Sequence, residues 1–467
     1  MGSSSKSFAL SPIIIFLTCI VTISFVTVKA SSKTIVVPND YPTIQDAINY
    51  ANSGDAIIVK SGTYNEQALE INKSLTITSE LPYQARLSFH PPTYLQTIGI
   101  SRNQNITYMV FNNSIHIKAN EVKLSGFMIT NDAMNFPANS TQMGKIDVGY
   151  VLADGDQIQI TNNIMGTQEM LFHLDLMGNE NQAINNTVAA LSISGSYQTV
   201  SCNTVRGVDV SGSFNSVTKN SAGQLTLTGA NNTVADNSVT TYPGGYGIQL
   251  TGADYNFISN NTIICDGPAI GIDMGGSYNF FAGNVVEGAK LWGVSIGSGS
   301  YNVFYGNLIA NNGRLDYDGH GLNLGGPNEV TNNLFFGNIF MYHSKNFETN
   351  WEVIGSNSFD NGAIGNYWND YLTKYPNATE VGNSGIGNTP YLVYGNVVDH
   401  YPLMNKPQVS ATLPPLPSPW STLLTQLPSS TPDEELISII LLTLFIALSL
   451  SILVVFTVRK RKNKKLV

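Results

Sequence analysis

The sequence predicts an all-β ectodomain folded as a right-handed, single-stranded parallel β-helix with an amino-terminal helical cap, followed by a carboxy-terminal transmembrane helix. Three observations carry that reading. Between Asn181 and Phe335 the pattern Asn-x-apolar-x-x-Asn-x-apolar returns eight times, with leading positions Asn181, Gln198, Asn215, Asn232, Asn256, Asn279, Asn302 and Asn328. Those positions are 17, 17, 17, 24, 23, 23 and 26 residues apart, yet the gap to the second asparagine is always five. Composition agrees: 42 glycines and only 12% charged residues suit a long chain of tight turns and short strands.

A period this short and elastic excludes propeller blades of roughly 40 residues and helical-pair repeats of about 33 or more. Stacked coils about 4.8 Å apart accommodate it, because insertions leave from turns without disturbing the stack. Asparagine tolerates the left-handed conformation that corners require, and its amide can bond the coils on either side, as in cross-β ladders. Asn203, Asn220, Asn237, Asn261, Asn284 and Asn307 are therefore read as a structural ladder. The apolar residues two positions past each asparagine, such as Val217, Val234 and Ile258, point inward, and Phe335 is placed two past the second asparagine of the eighth repeat.

In chain order, residues 1–30 read as a signal peptide: Lys6 precedes an apolar run from Pro12 to Val28, with Val28 and Ala30 placed for cleavage. The ectodomain is assigned to 31–405. Tyr41 to Ala51 has a helical apolar face of Ile44, Ala47, Ile48 and Ala51, with Pro42 near its first turn and Gly54 as its stop. Ala56–Val59 reads as a buried strand, Gly62-Thr63-Tyr64 as a turn, and Ile115–Ile117 and Val122–Leu124 as strands of early coils. A proline-, serine- and threonine-rich stalk follows over 406–435. Leu436 to Val458 gives 23 residues without a charge, long enough to span a bilayer. The basic tail 459–467 is then cytoplasmic and the ectodomain lies outside a plasma membrane crossed once.

The net charge of −9 hides an asymmetry. Setting aside the eight cations in the first 30 and last nine residues leaves 15 positive against 32 negative. That surface excludes nucleic acid as a partner and attracts divalent cations. Cys202 and Cys265, three coils apart or roughly 14 Å by strand spacing, are too distant for a disulfide.

Thr43-Ile44-Gln45-Asp46-Ala47, Gly62-Thr63-Tyr64 and Asn72-Lys73-Ser74-Leu75-Thr76-Ile77 resemble the opening of NosD-like proteins. These are the periplasmic copper-binding β-helix family of the pectin-lyase-like superfamily. Gly365-Asn366-Tyr367-Trp368-Asn369-Asp370-Tyr371, Gly385 to Tyr391 and Asp399 to Met404 resemble the closing segment of such surface proteins. The resemblance implies a β-helix over about 33–405 and leaves function open. Where relatives carry an aspartate-rich, calcium-loop-like stretch, this chain has Glu380-Val381-Gly382-Asn383-Ser384, short of the carboxylates a hard cation wants.

Three groups are candidates for chemistry. Arg314, Asp316, Asp318 and His320 put two carboxylates and an imidazole on one face of an extended segment, roughly 7 Å between carboxylates, a spacing suited to glycoside cleavage. Against this, Gly319-His320-Gly321-Leu322-Asn323-Leu324 matches Gly245-Tyr246-Gly247-Ile248-Gln249-Leu250 as the same strand element. Met170, His173 and Met177 offer soft and imidazole ligands to copper, although 170 and 173 project to opposite faces of a strand. Tyr197, Phe214, Tyr255, Tyr278 and Tyr301 each precede a leading ladder position; inward they are core, outward they are a platform for sugar rings. Eight Asn-x-Ser/Thr sequons, among them Asn185, Asn231 and Asn260, are sites for glycosylation. The leading function is a surface protein that binds polysaccharide or surface proteins without catalysis and without a cofactor. A polysaccharide hydrolase or lyase, with calcium, and a copper-handling accessory are the alternatives.

Overall fold

The computed structural model describes residues 32–89, 95–96, 100–101, 104–105, 108–109, 114–131, 147–166, 171–313, 319–325, 330–343, 347–349 and 356–412. The signal segment, the bulk of the stalk, the span Leu436–Val458 and the basic tail lie outside them. Among the described residues no helix is long and apolar enough to cross a membrane. The chain forms two compact units, Met1–Leu191 and Ser192–Val467.

In the first unit, strands Thr34–Val37, Ala56–Val59, Thr76–Ser79, Lys123–Ser125, Gln159–Thr161 and Gln182–Ile184 pair in parallel, each with the next. Alternation sends Ile35, Ile57, Ile77, Leu124, Ile160 and Ala183 inward as one column, each 1% exposed or less. A second parallel sheet takes Gly62–Glu66, so the expected turn at Gly62-Thr63-Tyr64 is a strand, paired with Ala85–Phe89. Its Tyr64 is buried and its hydroxyl donates to the Lys60 carbonyl, which a turn would have exposed. The helix runs over Ile44–Tyr50 and buries Ile44, Ala47 and Ile48. Thr43 caps its start by accepting from the Asp46 amide. Its end is held by Lys73, whose ammonium donates to the carbonyls of Ile48, Asn49 and Ala51. Gly54 lies in the turn beyond, at φ +92°.

In the second unit, Thr199–Ser201, Ser216–Thr218, Thr233–Ala235, Phe257–Ser259, Phe280–Ala282, Val303–Tyr305 and Leu334–Phe336 pair in parallel. Val217, Val234 and Ile258 stand in one register and are fully buried. The change of period is visible in the second sheet. The 17-residue coils carry one strand there, such as Thr204–Val210; the longer coils split it, as in Ser238–Thr241 and Tyr246–Thr251, and insert their extra residues between the halves.

The eighth repeat needs correction. Phe335 pairs with Phe304 rather than with Ile309, and the Asn302 amide donates to Asn333. Asn333 is thus a leading position and Asn338, bonded to Asn307, is its second asparagine. Asn328 lies outside the described residues. Because the internal gap is five, an asparagine five residues upstream of a true corner imitates a corner, and only the pairing separates them.

The corners as far as Asn338 share one backbone. The residue before each of these ladder asparagines is left-handed: φ is +58° at Tyr197 and Cys202, +59° at Phe214 and +57° at Tyr255. Outside the first sheet, coils from Asn256 onward turn apolar: Phe280, Val303, Leu334 and Phe336 are buried although they point away from the interior. Ala411 packs on that cluster, and the Ser410 amide donates to the Gly306 carbonyl. The first residues assigned to the stalk therefore lie along the coils.

Candidate functional site

The asparagines of one ladder use the whole of their amides. The Asn261 oxygen accepts from both the backbone N–H and the Nδ2 of Asn237, at 3.0 and 2.9 Å. Its own Nδ2 donates to the Val234 carbonyl and to Asn284 Oδ1, at 2.9 and 3.0 Å. The same four bonds recur at Asn220, Asn237 and Asn284, and a parallel file runs Asn232, Asn256, Asn279, Asn302, Asn333 and Asn357. Asn203, Asn220, Asn237, Asn261, Asn284 and Asn307 are at most 3% exposed. Saturated and sealed, they have no group left for a ligand.

The file of asparagines ends on a carboxyl group. Asp399 accepts from the Asn366 amide at 2.7 Å and from the Trp368 indole at 2.9 Å. Burial pushes its carboxyl up to about 7 against the pull of those donors. Trp368 is itself clamped between Phe340 and Tyr391, ring centroids 4.6 and 4.4 Å away. The Glu380–Asn388 stretch is spent on its own loop: Glu380 accepts from the Gly385 amide and Asn388 from the Thr379 amide.

The aromatic residues that precede the ladder point outward. Tyr197 is 56% exposed and Phe214 43%, while Tyr255, Tyr278 and Tyr301 are half-buried. They stack on one another: Tyr197 on Phe214 at 5.2 Å, Tyr255 on Tyr278 at 4.8 Å, and Tyr278 on Tyr301 at 5.3 Å, all within 10° of parallel. The expected platform for sugar rings is corrected in one respect. Stacked rings cover each other's faces, so a stack offers edges and phenolic hydroxyls along its length and open faces only at its ends.

The other candidates are not brought together. Arg314, Asp316 and Asp318 lie outside the described residues. His320 is fully buried and shares a register column with Tyr246, Ile270 and Trp292. Met170 lies outside the described residues. His173 and Met177 share the outward face of Leu171–Met177, with Asp175 between them; His173 packs at 5.0 Å on the Tyr150 ring and Met177 is exposed. Among the described residues no three His, Cys, Asp or Glu side chains are grouped to hold a metal ion. Cys202 is exposed and Cys265 buried, both free.

Sequence reasoning missed a polar file on the second sheet. Gln249, Asp273, Ser295 and Asn323 stand in register, with Gln249 Nε2 donating to Asp273 Oδ2 at 3.2 Å. Burial raises the Asp273 carboxyl, opposed by its bonds to Gln249 and Ser295. The signal was present as Gly247-Ile248-Gln249-Leu250, Gly271-Ile272-Asp273-Met274, Gly293-Val294-Ser295-Ile296 and Gly321-Leu322-Asn323-Leu324. Those glycines are obligatory: a Cβ on Gly247 would run into Ile263, and one on Gly271 into Val286.

Parallel strands stacked in register, asparagine-lined corners and split coils define a parallel β-helix. Residues 173–373 match the family described as periplasmic copper-binding protein (NosD). Of the motifs quoted for the resemblance, Gly365–Tyr371 falls inside that stretch and the opening ones do not. No curated protein matches. Among solved structures, the A-module of the mannuronan C-5 epimerase AlgE4 of Azotobacter vinelandii is 12% identical with a TM-score of 0.43, over 67% of this chain and 93% of that one. The PL6 family polysaccharide lyase of Pseudopedobacter saltans is 13% identical with a TM-score of 0.40, over 72% and 94%. The Dettilon tailspike protein is 14% identical with a TM-score of 0.45, over 66% and 62%.

Proposed function

We propose that this chain is an extracytoplasmic, right-handed β-helix that binds polysaccharide without turning it over. In this reading the Ile44–Tyr50 helix caps the first coil and Leu436–Val458 anchors the chain, with 459–467 on the cytoplasmic side. One observation carries it. Aromatic side chains occupy left-handed corner positions of the second unit that glycine, asparagine or aspartate would fill with less strain. They are not needed as core, because the interior is already filled by Val200, Val217, Ile258, Phe281 and their neighbours. Half-exposed phenols suit sugars, since an aromatic body and a hydroxyl tip meet both the CH and OH groups of a pyranose. The test incubates the full-length protein with a panel of polysaccharides and scores retention and new reducing or unsaturated ends together. Retention without new ends, weakened by Tyr278→Ala, is expected. Turnover lost in Asp273→Asn would overturn the reading in favour of a carbohydrate-active enzyme.

A further inference from the structure

The aromatic file of the second unit is interrupted once, at Asn231. Positions 197, 214, 231, 255, 278 and 301 are equivalent corners, each immediately before a leading ladder residue. Asn231 has their left-handed backbone, φ +56°, but no ring. Among the described residues Phe214 therefore stacks only on Tyr197, and Tyr255 only on Tyr278. Each keeps one ring face directed toward the Asn231 coil. Two coil spacings separate those rings, or about 9.6 Å measured along the stack of coils.

That width selects its occupant. A flat ring in van der Waals contact on both sides needs only about 7 Å between its neighbours, because carbon atoms meet at 3.5–4.0 Å. A puckered ring with axial hydrogens on both faces is thicker and fills the difference. The floor is polar. The Asn231 side-chain amide makes no hydrogen bond within the described residues, and its backbone N–H is bonded to the Asp254 carbonyl at 3.2 Å. The Asp254 carboxylate serves the other side of the Tyr255 coil, where its Oδ1 accepts from the Ser277 amide at 2.7 Å. Aromatic faces above and below, with an amide at the base, match a sugar that carries CH groups axially and hydroxyls equatorially.

We infer that the gap over Asn231 is a slot for one pyranose ring, sandwiched between Phe214 and Tyr255. The inference rests on the polysaccharide-binding reading and names its subsite. Asn231-Asn232-Thr233 is also a sequon, so the ring has two sources: a polysaccharide in solution, or a glycan carried by Asn231 itself.

The test is saturation-transfer difference NMR on full-length protein from a non-glycosylating host, with free glucose, mannose, galactose and N-acetylglucosamine as probes. A sandwiched ring receives saturation on the protons of both its faces; a ring resting on the open end of a stack receives it on one. The slot requires two-sided transfer for at least one sugar, lost at least tenfold in Asn231→Tyr, which fills the gap with the residue type of its neighbours. Asn231→Gly keeps the backbone and the opening and should weaken binding only about threefold, by loss of the amide. It also guards against a tyrosine variant that fails to fold, which a melting curve would reveal. Thr233→Ala deletes the sequon and leaves the slot, so free-sugar binding survives it. In protein from a glycosylating host, a mass increment on Asn231 that disappears in Thr233→Ala identifies the attached ring as the occupant. One-sided transfer that Asn231→Tyr leaves unchanged, on a protein that still retains polysaccharide, overturns the slot and spares the parent reading. Absence of retention and of transfer overturns both.

Discussion

Asn256 and Tyr255 are adjacent in sequence and face opposite ways. Asn256 is fully buried and bonds the coils before and after it, to the Gly229 carbonyl and to Asn279 Oδ1, both at 3.1 Å. Tyr255 is half-buried outside the coil, stacked on Tyr278. Inside the corner almost nothing but asparagine combines two donors and a double acceptor on so short a stem. Outside, the backbone favours small or polar residues and the aromatic ring is a departure from that preference. The interior identity reports how the fold is held.

Breaking the interior should have the largest effect. Asn261→Ala removes four hydrogen bonds in a sealed site and strands the amide of Asn237, for a loss of about 3–5 kcal/mol in denaturant unfolding. A loss under about 1 kcal/mol would mean the ladder is decoration.

The carboxyl end of the ladder gives a pH signature. The Asp399 carboxyl, pushed up to about 7 from an ordinary 3.8, is more easily protonated folded than unfolded. Its contribution to stability is therefore complete below about pH 4 and lost as pH rises through 7, by about 4 kcal/mol at most. Asp399→Asn should remove that dependence, so the stability of the variant relative to the parent should climb between pH 4 and pH 8. A difference that is flat across that range would show the carboxyl to titrate normally.

The exterior should tolerate change. Tyr278→Gly gives up two ring contacts and relieves a strained φ of +62°, so stability should move by no more than about 1 kcal/mol, while polysaccharide retention falls. Destabilisation beyond about 2 kcal/mol in a melting experiment would assign the column to structure. Smallest of all, Cys202→Gly relieves the same kind of corner at φ +58° and should gain a few tenths of a kcal/mol up to about 1. A thiol reagent should titrate Cys202 in the native protein and reach Cys265, buried and raised to about 11, only on unfolding.

The repeated corner was legible because its interior chemistry admits few residues. Val217, Val234 and Ile258 could be placed in one column from spacing alone. The eighth repeat misled for the same reason: Asn328 lies one internal gap ahead of Asn333, and sequence offers no pairing to choose between them. The turn expected at Gly62-Thr63-Tyr64 failed because glycine there serves a strand, at φ +154°, rather than a reversal. The direction of Tyr255 and Tyr278 could not be read, since a left-handed residue falls outside the alternation that sorts strand residues into in and out. The polar file through Asp273 was readable in principle from the recurring Gly-apolar-polar-apolar element. Its neighbours are hydroxyls and amides rather than carboxylates, so nothing marked it as a site.

A stack of identical hydrogen-bonding coils is a growing polymer, and each finished coil offers the next one a template. In the second unit the ladder hands its N–H groups forward, from Asn307 to Asn338 and on to Asn366. At Asp399 that handover meets a group that accepts and, when ionised, cannot donate. One oxygen in place of one nitrogen thus ends the file of side-chain amides inside the protein, where Asp399 is fully buried, and the backbone alone carries the stack onward, the Leu403 amide donating to the Asn366 carbonyl.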